Sequence, residues 1–335
     1  LEAIDFAGQR LAKYDVPLGY RIYRLDTPLQ PAERREMTFT VDYHPNGISN
    51  GMAQTRIVAN GTFFNSDHFP AFGYEPGAEL KDRKERRERG LGEPTRMPKL
   101  EDVDARQATY LTDDADWIDY SATVCTAPDQ IALSPGKLRR TFERDGRRCY
   151  AYEMDQPMLD FYSVLSARYA VAKGDYKGLP IEVYHDPRHE YNVQRMIEAT
   201  KKSLGYYEQA FSPYQFDQVR ILEFPRYANF AQSFANTIPF SESIGFIADL
   251  TRDDAIDYVF YITAHEVAHQ WWGHQVAGAN SQGGPVLVES LAQYSALMVM
   301  EKEYGREHMR QFLKYELDRY LAGRGTERLE ELPLY

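Results

Sequence analysis

Cysteine is scarce: Cys125 and Cys149 are the two among 335 residues, too few for a cysteine-built zinc cluster. Each stands in a strand-like run, and they read as two separate buried thiols, with a single disulfide as the alternative in an oxidising compartment. Long hydrophobic runs are missing as well. A membrane-crossing helix needs about twenty consecutive apolar residues, and the charge-free stretch 227–241 is instead full of Asn, Gln and Ser. Positive charge is in deficit. With 39 Lys and Arg against 50 Asp and Glu the net charge is −11, which argues against nucleic acid as a main partner and offers no cationic face to anionic lipid. The chain also lacks an initiating methionine. Residues 1–13 carry acids without an apolar signal core, and 330–335 stop without a capping signal, so the sequence reads as an excised piece, truncated at its C-terminal end.

What is present suffices for two cores. At 43% hydrophobic and 13% aromatic the chain is globular and long enough for two domains. Its 25 Tyr and 17 Phe suit extensive sheet or a peptide-binding cleft without choosing between them.

The informative stretch runs from Asp253 to Tyr294, where His265, Glu266 and His269 stand as H-E-V-A-H. Apolar residues at 256, 259, 260, 267 and 271 recur at helical spacing behind the acids Asp253 and Asp254, which suit a helix start. Gly273 is the expected stop. Residues four apart share a helix face, so both imidazoles can reach one zinc ion at about 2.0 to 2.1 Å. Glu266 lies about 100° further round, beside the metal, where it can take a proton from water. A turn-rich connection, 278–285, leads to a second helical pattern with Glu289 in its first turn as the third ligand. The competing reading is a hydrogen-bonded histidine pair in a core, while Glu301 and Glu303 belong to a charged, solvated run.

Before this stretch the chain reads as strands: 37–43, 55–64, 120–126, 148–154 and 163–171, with turns at Asn46-Gly47, Asn50-Gly51 and Asp145-Gly146. Lys81 to Arg89 reads as a solvated helix, and 93–115 is polar without a clear period. Gly174 to Pro180 reads as a linker between a β-rich domain, 1–179, and a second domain, 180–335. The latter opens with a strand at 181–185, a helix over 188–211 and a strand at 219–224. The fold class is therefore α+β. His44, His68, His185, His189 and His308 have no ligand spacing, and His274 reads as a helix-end hydrogen-bonding residue.

H-E-V-A-H-Q-W-W-G-H followed by V-L-V-E-S-L-A-Q-Y resembles the gluzincin metallopeptidases of the aminopeptidase N (membrane alanyl aminopeptidase) family. That resemblance implies a saddle-like β-rich domain followed by a thermolysin-like catalytic domain, and one Zn2+ per chain on His265, His269 and Glu289. Glu266 is then the general base and a peptide the substrate. The departure is spacing. Nineteen residues separate His269 from Glu289 where this group has eighteen and thermolysin-like gluzincins nineteen, and the extra residue is placed in the Gly/Ser loop. A second departure lies at 232–236. Relatives carry G-x-M-E-N there, whose glutamate holds the substrate's free amine; here Q-S-F-A-N puts Ala235 at the glutamate and keeps Asn236. Glu242 stands near enough to substitute, although a surface acid is the plainer reading. The tyrosine that relatives place in a Y-x-K-G setting to bind the oxyanion is expected beyond residue 335, with Tyr294, Tyr304, Tyr315 and Tyr320 read as structural.

More narrowly, the chain resembles bacterial peptidase domains fused to ABC-transporter-type permease segments, which implies a domain tethered to a membrane and covalently linked permease segments outside this chain. Three functions follow from these residues: a zinc peptidase, aminopeptidase-like; a peptide-binding or sensing domain of a transporter; and an endopeptidase. Loss of a ligand or of the base would favour the second, and none is lost.

Overall fold

The computed structural model describes residues 3–6, 9–15, 20–44, 48–49, 52–53, 57–73, 79–93, 97–111, 116–251 and 256–326. The turns expected at Asn46-Gly47 and Asn50-Gly51, the acids Asp253 and Asp254, and the segment 330–335 lie outside them. Two compact units emerge, 1–54 and 55–335.

In the first unit the described strands pair antiparallel two by two: Ala3–Phe6 with Met37–Thr40, Gln9–Asp15 with Tyr20–Leu25, and Ile48–Ser49 with Met52–Ala53. The alternating run expected at 37–43 is thus a strand over its first four residues.

The second unit begins with strands and ends with helices. Ser121–Thr126 and Lys137–Arg144 flank Arg147–Glu153 in a three-stranded sheet. Cys125 and Cys149 stand opposite each other across it and form a disulfide, which corrects the reading as two thiols. Gly61–Asn65 and Ser163–Ala167 pair in a second sheet. The run 163–171, read as one strand, breaks at Arg168-Tyr169, because Ala170–Tyr176 leaves to pair elsewhere.

Ala170–Tyr176 forms a hairpin with Leu179–His185, so Gly174 to Pro180 is a hairpin end rather than a linker. Lys177 and Gly178 turn the chain with φ of 52° and 88°. Gly174 is required by packing: a Cβ there would stand 2.5 Å from Ile197 Cγ2. The sheet continues in parallel through Val219–Phe224 to the edge strand Thr237–Ser241. Leu222 and Phe224 from this sheet, with Phe234 just before its edge strand, share a core with Phe63, Leu133 and Leu165 of the β-rich part. The expected division at 179/180 therefore falls within a hairpin and across a common core.

Helices cover the sheet. Val193–Ala210 buries Val193, Met196, Ile197, Thr200, Leu204 and Tyr207, the face its spacing predicts, and each fully buried large apolar side chain contributes about 1.5 to 3 kcal/mol. The motif helix, Tyr258–Ala268, starts later than the sequence suggested. Asp257 caps it, accepting from the Phe260 N–H at 3.0 Å; such a cap is worth about 1 kcal/mol. The helix is apolar nearly all round because it is packed on most sides, with Val259, Phe260, Tyr261, Thr263, Ala264 and Val267 all buried. The chain then passes Gly273, φ 132°, and enters a π-helical turn, Val286–Ser290, that runs on into Leu291–Tyr304 and, after Gly305, Arg306–Thr326.

Candidate metal centre and active site

The motif helix and the π-helical turn bring His265, His269 and Glu289 together, with ligand atoms all within 4.8 Å of one another. His265 Nε2 and His269 Nε2 are 3.0 Å apart, and Glu289 Oε2 lies 3.6 and 3.5 Å from them. A point equidistant from three atoms so spaced is about 2.0 Å from each, the zinc–nitrogen and zinc–oxygen bond length. The donor set, two imidazoles and a carboxylate, fits a catalytic zinc site with an open fourth position. His269 is oriented for this. Its Nδ1–H donates to the Trp272 carbonyl at 3.0 Å, which leaves Nε2 as the ligand atom, the usual outer support of a metal-binding histidine. The two imidazoles in turn hold the Glu289 carboxyl well below the usual carboxylate range.

The π turn bears on the spacing. An i→i+5 turn holds one residue more than an α-helical turn and is commonest at functional sites, so the extra residue assigned to the Gly/Ser loop can be taken up within the helix that carries Glu289.

Glu266 is 5% exposed, and its Oε2 is buried without a hydrogen-bond partner. Burial raises its carboxyl pKa; the adjacent histidines oppose that. A desolvated carboxylate oxygen with no protein donor, beside three converging side chains that could hold a metal, is placed to receive a proton. His265 Nδ1 is likewise buried and unpartnered. All four side chains line an open cavity of about 210 Å³, along with Tyr110, Gln232, Ser233 and His274.

His274 faces inward. It is 5% exposed, its Nε2–H donates to the Ser233 carbonyl at 3.0 Å, and desolvation lowers its pKa to about 4, so it is a neutral wall of the cavity.

The residues proposed for the substrate's amine stand elsewhere. Ala235 is fully buried and packs with Tyr120 and Met158. Asn236, at φ 51°, takes hydrogen bonds from Arg220 and Gln218 on Oδ1 and donates its N–H to Gln270 Oε1. Glu242 accepts from Asn60 Nδ2 at 3.0 Å and clusters with His189 and Glu223. None of the three lines the cavity; from that segment Ala231, Gln232 and Ser233 do. Tyr294, read as structural, is 58% exposed, since its helix buries Ala292, Ser295, Ala296, Val299 and Met300 instead. Tyr304 donates to Asp257 at 2.6 Å.

Tyr110 was not legible in the sequence. It lies in the polar stretch 93–115 and is brought in by backbone pairing to the loop before Glu289. Tyr110 N–H donates to Gly278 O at 3.1 Å, Asn280 N–H to Ala108 O at 2.9 Å, and Thr109 bridges Ala279.

With this geometry in place, similarity to known proteins becomes specific. Residues 195–331 match the Peptidase family M1 domain. The M1 domain carries every residue of the candidate centre. "Aminopeptidase 2, mitochondrial" of Saccharomyces cerevisiae is 24% identical over 185 residues, 53% of this chain and 19% of that protein. "Probable aminopeptidase 1" of Sulfurisphaera tokodaii is 35% identical over 81 residues, 24% of this chain and 10% of that protein. The chain thus spans a fifth or less of the length of these curated relatives. Among solved structures, Legionella pneumophila aminopeptidase A in complex with aspartic acid shares the fold with a TM-score of 0.52 at 23% identity, over 62% of this chain and 26% of that one. Residues 195–331 are thus similar to the M1 peptidase domain, and helix and sheet are mixed as in that structural neighbour.

Proposed function

We propose that this chain hydrolyses peptide bonds at one zinc ion held by His265, His269 and Glu289, with Glu266 as general base. The observation that supports this best is the convergence of the three ligand atoms beside an unpartnered Glu266 oxygen on the wall of an open cavity. Zinc bound there supplies Lewis-acid polarisation of the scissile carbonyl and lowers the pKa of water. The rest is done by the chain. Glu266, lifted in pKa by burial, takes the proton of the attacking water and returns it to the leaving amine. Neutral His274 and the Ser233 segment wall the cavity without adding charge.

Aminopeptidase-like cleavage is the first reading, after the aminopeptidases to which the chain is similar. Endopeptidase cleavage is the second, and the segment 231–233, which lines the cavity without a carboxylate, favours it. Without a carboxylate there a substrate's free amine lacks a charge-assisted hydrogen bond worth roughly 1.5 to 3 kcal/mol. Digesting one peptide in free and N-acetylated forms, before and after chelation, tests both. The proposal expects chelator-sensitive hydrolysis with at most a modest preference for the free amine. Cleavage that survives removal of all metal would reject the zinc mechanism, and a free-amine preference above a hundredfold would reject the weakened anchor.

Attachment to membrane permease segments is proposed from the sequence resemblance. No helix among the described residues is long and apolar enough to cross a membrane, so the attachment would lie in other segments. Fractionating cells that express the protein at its natural length tests it.

A further inference from the structure

His189, Glu223 and Glu242 form a second group in which one ligand atom from each lies within 4.8 Å of the others, the same spacing that His265, His269 and Glu289 show. The sheet brings them together. Leu179–His185, Val219–Phe224 and Thr237–Ser241 run parallel, so their carboxyl ends share one edge, the place where open sheets of this kind gather ligands. His189 follows the first strand, Glu223 is the penultimate residue of the second, and Glu242 directly follows the third. Two backbone bonds fix the arrangement. The Glu242 N–H donates to the Phe224 carbonyl at 2.9 Å, and the Asp186 N–H donates to Glu223 Oε2 at 2.7 Å. The cavity of the first centre is lined by none of the three.

The charges in this group do not balance. Glu223 is 4% exposed and Glu242 is 7% exposed, and a carboxylate so buried is neutralised by a cationic partner or by a proton. His189 serves Glu223, through the contact of its Nδ1 with Oε1. Glu242 accepts from Asn60 Nδ2 at 3.0 Å, a neutral donor that leaves its charge uncompensated. Arg188, the cation of the same segment, is turned outward: it holds Asp186 at 2.9 and 2.8 Å with a side chain 75% exposed. Two buried carboxylates thus share one imidazole. Even with that imidazole protonated the group keeps a net negative charge, which a divalent cation would neutralise.

We propose that His189, Glu223 and Glu242 hold a divalent cation of the oxygen-preferring class, with Mn2+ as its probe, at a second metal site separate from the first centre. The donor set decides the class, because two carboxylates with one imidazole suit a manganese-type ion better than the closed, nitrogen- and sulfur-rich sets of structural zinc do. Water completes the coordination. Asn60 and Asp186, which donate to the two carboxylates, also line an open groove of about 580 Å³, so ion and water reach the group from solvent. The ion clamps together the segments that follow three parallel strands, and through Asn60 it ties them to the β-rich part of the chain.

The test titrates the zinc-loaded chain with Mn2+ and follows it by electron paramagnetic resonance, in which free Mn2+ gives the sharp signal that binding removes. The parent should take up about one Mn2+ per chain and show nitrogen coupling from a single imidazole. Glu242→Gln keeps the shape and the Asn60 bond, and should weaken uptake about a hundredfold or more, since even the outer partners of a ligand change metal affinity about 10 to 100-fold. His189→Gln should weaken it likewise and abolish the nitrogen coupling. In a His269→Ala background, which removes a histidine of the first centre, uptake and coupling should both persist, so that failure of the zinc reading and failure of this one are told apart. Absence of uptake by the parent overturns the inference and assigns the two carboxylates a shared proton. Uptake without nitrogen coupling, uptake unchanged in Glu242→Gln, or uptake lost in the His269→Ala background places the ion elsewhere and also overturns it.

Discussion

Gln270, the residue after the second motif histidine, offers a perturbation whose size follows from its contacts. It is fully buried. Its Nε2 donates to the Phe234 carbonyl at 2.9 Å and to Ser233 Oγ, and its Oε1 accepts from the Asn236 N–H at 3.0 Å. One amide thus ties the end of the motif helix to the tight turn 233–237, whose first residue lines the cavity. Gln270→Met keeps nearly the same volume and removes all three bonds. Ser233 can rotate its hydroxyl to another acceptor and the Phe234 carbonyl still accepts from the Thr237 N–H at 3.1 Å, but the Asn236 N–H stays buried without its acceptor. An orphaned buried group costs about 1 to 3 kcal/mol, so the loss should be about 1 to 3 kcal/mol, a measurable share of a typical stability of about 5 to 15 kcal/mol. Urea unfolding of the metal-free protein measures it as a lower midpoint at unchanged slope. Because His274 holds the same segment through Ser233 O, combining Gln270→Met with His274→Leu should cost less than the two separate losses added together. A loss below about 0.5 kcal/mol for Gln270→Met would refute the idea that this amide anchors the cavity wall.

His274 itself makes stability pH-dependent. Its pKa is about 4 in the folded chain and about 6.5 unfolded, so the unfolded state binds the extra proton first, and stability is lost as pH falls from about 6.5 towards 4. By pH 5 the loss is about 2 kcal/mol; His274→Gln should flatten that part of the stability profile, and an unchanged profile would contradict the assignment. The Cys125–Cys149 disulfide closes a separation of 24 residues and should contribute about 3 kcal/mol. Non-reducing peptide mapping should recover the linked pair, and two thiols alkylated in the native protein would contradict it.

The centre was legible because its chemistry is local. H-E-V-A-H puts His265 and His269 on one helix face by spacing alone, and Glu289 follows at the head of the next apolar pattern. Val219–Phe224 was legible from its β-branched and large apolar residues, Val219, Ile221, Leu222 and Phe224, while the burial of Arg220 and Glu223 within it was not. Other features depended on contacts distant in sequence. The glycine at 174 looked like linker punctuation, but it is a close approach to Ile197. Asp253 and Asp254 looked like the helix start, while the capping bond belongs to Asp257. Tyr110 carried no signal at all, since two backbone hydrogen bonds to a loop some 170 residues away leave no period to read. Ala235 did signal a departure, and the structure gives its reason: the position is filled by core packing with Tyr120 and Met158.

The central claim is that Glu266 is the base and the three neighbouring side chains are the ligands. Glu266→Gln, purified without added metal, should be assayed for zinc content by elemental analysis and for hydrolysis of a peptide that the parent cleaves. The account predicts about one zinc per chain, as in the parent, with turnover lower by about 10² to 10⁴. Parent-like turnover, or a variant that no longer holds zinc, would contradict it.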